Sequence, residues 1–172
     1  MERIRNNTAI APAARPGRRT YDTNKVRIMK IMVINGPSLN MLGIREKDIY
    51  GEGSYEQLVD FINECAARLG AEVVCLQSNH EGDIIDWIQQ AYFDGFGGIV
   101  INPGAYAHTS IAIADALRAV RPLPAVEVHI SDVDSREEYR RTSFTAPCCA
   151  AVFKGRGFAG YRLALEKLAE IV

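Results

Sequence analysis

From Arg27 onward, short runs rich in Val and Ile alternate with segments of helical periodicity, and this alternation constrains the fold more than any other feature. The runs span 28–34, 72–76, 98–101, 125–130 and 150–153. They are too continuously apolar to leave one face in water. Strands buried on both faces of a parallel sheet have this pattern. Between them, 54–69 opens with Ser54 and Gln57 at capping-box spacing. It continues with Leu58, Phe61, Ile62, Cys65 and Leu69 at helical spacing and stops at Gly70. Segments 83–93, 110–120 and 158–171 repeat the pattern, and a shorter helix is expected near Ser135.

Five strands alternating with helices predict right-handed βαβ units in one doubly wound α/β domain, a five-stranded parallel sheet of order 2-1-3-4-5. The chain's 172 residues suit one domain over 28–172, preceded by a basic extension over 1–27. That extension holds seven Lys/Arg against Glu2 and Asp22, which leaves 13 basic and 19 acidic residues in the body. An acidic body argues against nucleic acid as a partner. The extension is Arg-rich like a transit peptide, yet Pro12, Pro16 and Gly17 interrupt any long amphipathic helix, so a flexible tail is expected. No apolar stretch reaches membrane-spanning length and no secretory apolar core follows Met1. Cys65, Cys75, Cys148 and Cys149 form no C-x-x-C pair and read as reduced thiols. A cytoplasmic location, no membrane partner and no metal are therefore expected.

In sheets of this order, ligands bind beyond the carboxyl ends of the strands, where strands 1 and 3 diverge. The segments there are Asn35-Gly36-Pro37-Ser38, Gln77-Ser78-Asn79-His80, Asn102-Pro103-Gly104 through His108, and Glu127-Val128-His129-Ile130-Ser131. All three histidines of the chain fall at these ends. Glu127 and His129 lie two apart on one strand and share a face, so the carboxylate can fix the imidazole's tautomer. On the long first loop, Arg45 stands near Tyr50. A phenol is a weak base at neutral pH unless a neighbouring cation favours its anion. Gly155-Arg156-Gly157-Phe158-Ala159-Gly160 matches a dinucleotide fingerprint, but too little chain follows for a second strand, so helix-to-sheet packing is expected instead.

Taken together, NGPSLNMLGIRE with Tyr50-Gly51, QSNHEG, INPGAYAHTS and VEVHIS followed by REEYRR resemble the type II 3-dehydroquinate dehydratases. The resemblance runs from about Lys30 to the C-terminus. It implies a flavodoxin-like domain and a lyase that eliminates water from 3-dehydroquinate through an enolate, without cofactor, metal or nucleotide, in aromatic biosynthesis or quinate breakdown. It implies Tyr50 as the base, Arg45 as its activator and His129 as the general acid. Asn102, His108, Ile130, Ser131 and Arg140 would bind substrate, with Arg140 on its carboxylate, and Asp115 would reach in from a neighbouring subunit. The implied assembly is a homo-oligomer, a dodecamer built as a tetramer of trimers.

One residue departs from the family pattern: Ser38 stands where an Asn is usual. A serine hydroxyl offers one donor where the amide offers two, and a slower enzyme is expected. Two other readings fit the residues less well. One is a homologue that binds a small cyclic acid without converting it. The other is a flavodoxin-like signalling domain, which would need an acidic cluster after strand 1, where Asn35 and Ser38 stand.

Overall fold

The computed structural model describes residues 28–172. The expectations for 1–27 lie outside the described residues. Five parallel strands form one sheet: β1 (Lys30–Asn35), β2 (Glu72–Gln77), β3 (Gly98–Asn102), β4 (Ala125–His129) and β5 (Ala151–Lys154). Their order is β2-β1-β3-β4-β5, the flavodoxin-like arrangement. The helices are a single turn α1 (Lys47–Tyr50), then α2 (Tyr55–Arg68), α3 (Glu81–Phe93), α4 (Ile111–Ala119) and α5 (Ala159–Ile171).

The period-2 alternation of the strands sorts side chains into two cores. Ile31, Val33, Val100, Val126 and Val128 face α2 and α5, alongside Leu58, Ile62, Leu165 and Leu168. Met32, Ile34, Ile99 and Ile101 face α3 and α4, alongside Ile84, Ile88, Ile113 and Leu117. Both faces of β1, β3 and β4 are thereby removed from water, which is why these strands read as continuous apolar runs. Cys65 and Cys75 both belong to the first core, and all four cysteines are free thiols.

The Ser54–Gln57 capping box forms as its spacing predicts. The Gln57 N–H donates to Ser54 Oγ at 3.2 Å, and the Ser54 N–H donates to Gln57 Oε1 at 2.9 Å. Such a cap is worth about 0.5–2 kcal/mol. α3 begins two residues earlier than expected. Ser78 Oγ accepts from the His80 N–H and donates to Asp83 Oδ2, tying the turn to the first helical residues. β1 begins at Lys30 and ends at Asn35, later at both ends than the expected run.

The expected helix near Ser135 is instead two 3-10 turns, Val133–Ser135 and Glu138–Arg140. Asp132 explains the break. Its side chain accepts from the Asp134 N–H and its carbonyl accepts from Ser135 Oγ, so local bonds compete with the helical ladder. Gly160 packs α5 against β4: a Cβ there would lie 3.1 Å from Val128 Cγ1. Gly160 thus serves helix-to-sheet packing, as expected, while Gly155 and Gly157 sit at positive φ in the turn before α5.

Candidate active site

The loops after β1 and β3 are drawn together at the strand ends. The Gly36 N–H donates to the Asn102 carbonyl at 2.8 Å. A Cβ on Gly36 would stand 2.6 Å from the Pro103 oxygen, so only glycine permits this approach. Above it lies a cavity of about 160 Å³. Arg45, Tyr50 and His129 all line it, as do Asn102, His108 and Ser38. Ile130, Ser131 and Arg140 line it too. Three wider hollows of about 410, 430 and 380 Å³ lie at the opposite rim of the sheet, with no paired acid and base among their lining residues.

Tyr50 is carried by the one-turn helix α1. Its hydroxyl oxygen accepts from two guanidiniums, Arg45 Nη2 at 3.1 Å and Arg136 Nη1 at 2.7 Å. The Arg45 guanidinium also lies 4.3 Å from the Tyr50 ring centroid. Glu46 holds both arginines, 2.6 Å from Arg45 and 3.8 Å from Arg136. The hydrogen bond from Arg45 holds the Glu46 carboxyl below the usual carboxylate range. Glu46 itself sits at φ 29°, a conformation that L residues rarely adopt, so this turn of the first loop is strained where its ion pairs grip it.

Arg136 is the residue that the sequence reading missed. It comes from the segment after β4, and its side chain is only 11% exposed. The one available signal was its place four residues before Arg140 in REEYRR. Nothing local says that it reaches Tyr50, 86 positions away.

His129 ends β4, and its Nε2 lies 2.7 Å from Glu127 Oε1. Glu127 is fully buried and also accepts from Ser143 Oγ and Thr145 Oγ1. A carboxylate with three donors is locked in place and fixes the imidazole's tautomer. Nε2 is committed to Glu127, so Nδ1 is the nitrogen left for the cavity. His108 lies beside it, ring centroids 6.2 Å apart and planes 20° apart. His108 Nδ1 stands 2.7 Å from the Thr142 carbonyl and therefore carries the proton, leaving Nε2 as an acceptor. Burial pushes the His108 imidazole below its ordinary value, with the Thr142 carbonyl opposing and His129 and Arg140 adding to the fall. Of the three histidines, only these two enter the site. His80 precedes the first turn of α3 and does not line the cavity.

Asn102 ends β3 and accepts from the Gly104 N–H at 3.2 Å. Arg140 is steadied by Glu137, its Nε 2.6 Å from Oε2. Bonds from its own backbone N–H and from Arg140 hold the Glu137 carboxyl at about 2. Ser38 adopts φ 64°, and its N–H donates to Asn79 Oδ1 at 2.9 Å. Its conformation therefore matters as well as its hydroxyl. Asp115 is not brought to this cavity. It sits on α4, exposed and paired with Arg118 at 2.7 Å. Among the described residues no cluster of His, Cys, Asp and Glu could hold a metal, and no helix is long and apolar enough to cross a membrane.

A base bearing two cationic donors and a buried carboxylate–imidazole pair thus share one small polar cavity. That arrangement suits abstraction of an acidic C–H with general-acid help to a leaving group. Comparison with known proteins points the same way. The family model described as Dehydroquinase class II matches residues 29–169. A 3-dehydroquinate dehydratase of Lachnospira eligens is 54% identical over 143 residues, covering 83% of this chain and 97% of the relative. One from Clostridium acetobutylicum is 56% identical over 140 residues, covering 81% of this chain and 96% of the relative. The crystal structure of a type II dehydroquinase from Butyrivibrio crossotus superposes with a TM-score of 0.81 at 57% identity, covering 82% of this chain and 97% of that one.

Proposed function

This chain belongs to the class II dehydroquinase family, and from that premise we propose that the strand-end cavity dehydrates 3-dehydroquinate to 3-dehydroshikimate, the shikimate-pathway reaction. Tyr50, as phenolate, removes a proton from C2. The C–H electrons move into the C3 carbonyl and give an enolate. The enolate collapses to the C1–C2 double bond and expels the C1 hydroxyl. His129 protonates that hydroxyl, which leaves as water. Tyr50 ends protonated and His129 neutral, and one proton returned from Tyr50 to His129 through solvent resets the site.

The observation that carries this reading is the pair of guanidiniums on one phenolic oxygen, in the same cavity as the Glu127–His129 pair. Arg45 and Arg136 are placed to carry the phenolate's charge, and Glu127 that of the imidazolium. Arg140 suits the substrate carboxylate because a guanidinium can hold it through two parallel hydrogen bonds. Asn102, His108, Ile130 and Ser131 hold the remaining oxygens.

The protein acts without a cofactor, in the cytoplasm, and assembles as a homo-oligomer, a dodecamer built as a tetramer of trimers. Asp115 of the partner subunit then completes each site; its exposure on α4 is compatible with that role. Light scattering checks the assembly. For the chemistry, purified protein is incubated with 3-dehydroquinate and the ultraviolet absorbance of the conjugated enone product is followed. Turnover is expected, and Tyr50→Phe should abolish it with the fold intact. No enone from folded, oligomeric protein would favour a binding-only homologue.

A further inference from the structure

Behind the cavity floor, two buried side chains that the elimination chemistry does not use, Asn35 and Tyr161, run up to Asn102. Asn35 ends β1 and Asn102 ends β3, paired in register. Tyr161 comes from the first turn of α5. Its hydroxyl donates to Asn35 Oδ1 at 2.7 Å and accepts from Asn102 Nδ2 at 2.9 Å. Asn35, Tyr161 and Asn102 are 0%, 0% and 3% exposed.

The direction of the bonds at Asn102 is fixed by Gly104. The Gly104 N–H can only donate, so Asn102 must present its oxygen there. One N–H of the Asn102 amide then goes to Tyr161, whose own proton must go to the Asn35 oxygen. The second N–H of Asn102 has no acceptor among the described residues, and Asn102 lines the cavity. At the far end, Asn35 Nδ2 makes no hydrogen bond of ordinary length, and the Tyr55 hydroxyl is the polar group beside it. Turning the Asn35 amide over would offer Nδ2 to Tyr161. The Tyr161 oxygen would then accept from both amides, and its own proton would lose the Asn35 oxygen as acceptor.

We propose that Tyr161, oriented by Asn35, is a positioning residue for the dehydration: it turns the Asn102 amide so that one N–H faces an oxygen of the substrate. Tyr161 does not line the cavity and acts only through Asn102. The inference rests on the proposed function.

A double-mutant cycle tests it. Tyr161→Phe removes only the hydroxyl. Loss of one neutral hydrogen bond predicts a fall in kcat/KM of about five- to tenfold, carried mainly by KM. In an Asn102→Ala background the same substitution should cost less than twofold in kcat/KM. A merely structural Tyr161 would give equal kinetic losses in both backgrounds. Equal losses, or no loss in either, overturn the proposal. Asn35→Ala frees the hydroxyl without removing it. It should reproduce the KM effect in part, and only where Asn102 is intact. The same cycle on calorimetric binding of 3-dehydroshikimate gives the coupling when Asn102→Ala turns over too slowly. The inference is judged on coupling and the proposed function on turnover by the unsubstituted enzyme, so the two fail separately.

Discussion

Arg136→Met removes a cation from the Tyr50 oxygen and keeps much of the side chain's length and apolar stem. The bond lost is the shorter of the two on that oxygen, 2.7 Å against 3.1 Å for Arg45. Arg136 is 11% exposed, so little water stands ready to replace it. A hydrogen bond to a charged group is worth about 1.5–3 kcal/mol. At about 1.36 kcal/mol per decade, kcat should fall about 10- to 150-fold, with KM changing less. Arg45 remains, so turnover should not vanish as it does in Tyr50→Phe. The ion pairs lost with Glu46 and Glu137 are longer, 3.8 and 3.4 Å, and those carboxylates are about half exposed. Such pairs contribute about 0–1 kcal/mol each, so melting should change little. Arg136→Lys restores a charge without the planar fork and should recover part of the rate. The assay is the initial rate of enone absorbance over a substrate series, with a thermal melt as control. A kcat within twofold of the unsubstituted enzyme, at unchanged melting temperature, would refute the idea that the second guanidinium supports the base.

Ser38→Asn places in a left-handed position, φ 64°, the residue type that tolerates it better. A gain of about 0.5–1 kcal/mol, or about 1–4 °C in Tm, is expected together with a higher kcat. An unchanged or lowered kcat sinks the account of the missing donor, and an unchanged Tm sinks the conformational one. Thr145→Val leaves the fully buried Glu127 carboxylate short of a donor. It should cost about 1.5–3 kcal/mol in urea unfolding, and a neutral result would mean that Glu127 is held by His129 and Ser143 alone. His108→Gln tests a pH effect. Folding depresses the His108 value below the ordinary 6.5, so the unfolded chain binds more protons in that window. Stability from this group is complete above 6.5 and is lost as pH falls through the folded value. The Gln variant should therefore lose less Tm than the unsubstituted enzyme between pH 7.5 and pH 5, and equal losses would contradict the burial argument.

Much of the scaffold was legible because its signals are local. The alternation that sends Ile31 and Val33 to one core and Met32 and Ile34 to the other follows from the strand's two-residue period. The Ser54 cap and the Glu127–His129 pair likewise involve residues two or three apart. The catalytic candidates at the strand ends came from sheet order and from motif resemblance, and the cavity gathers all of them except Asp115. The 133–140 segment was misread because Asp132 and Ser135 form turns that helical periodicity does not register.

The sequence by itself determined the class of fold through its periodicity, and its size and right-handed βαβ units made the order 2-1-3-4-5, and so the loops at the switch point, the natural expectation. Only the tertiary structure decided that Arg136 joins Arg45 on the Tyr50 oxygen, that Ser38 turns left-handed, and that Tyr161 ties Asn35 to Asn102. Propensity and capping act over a few residues. These contacts close across 86 and 126 positions, and their geometry exists only once the sheet has twisted and the helices have packed against it.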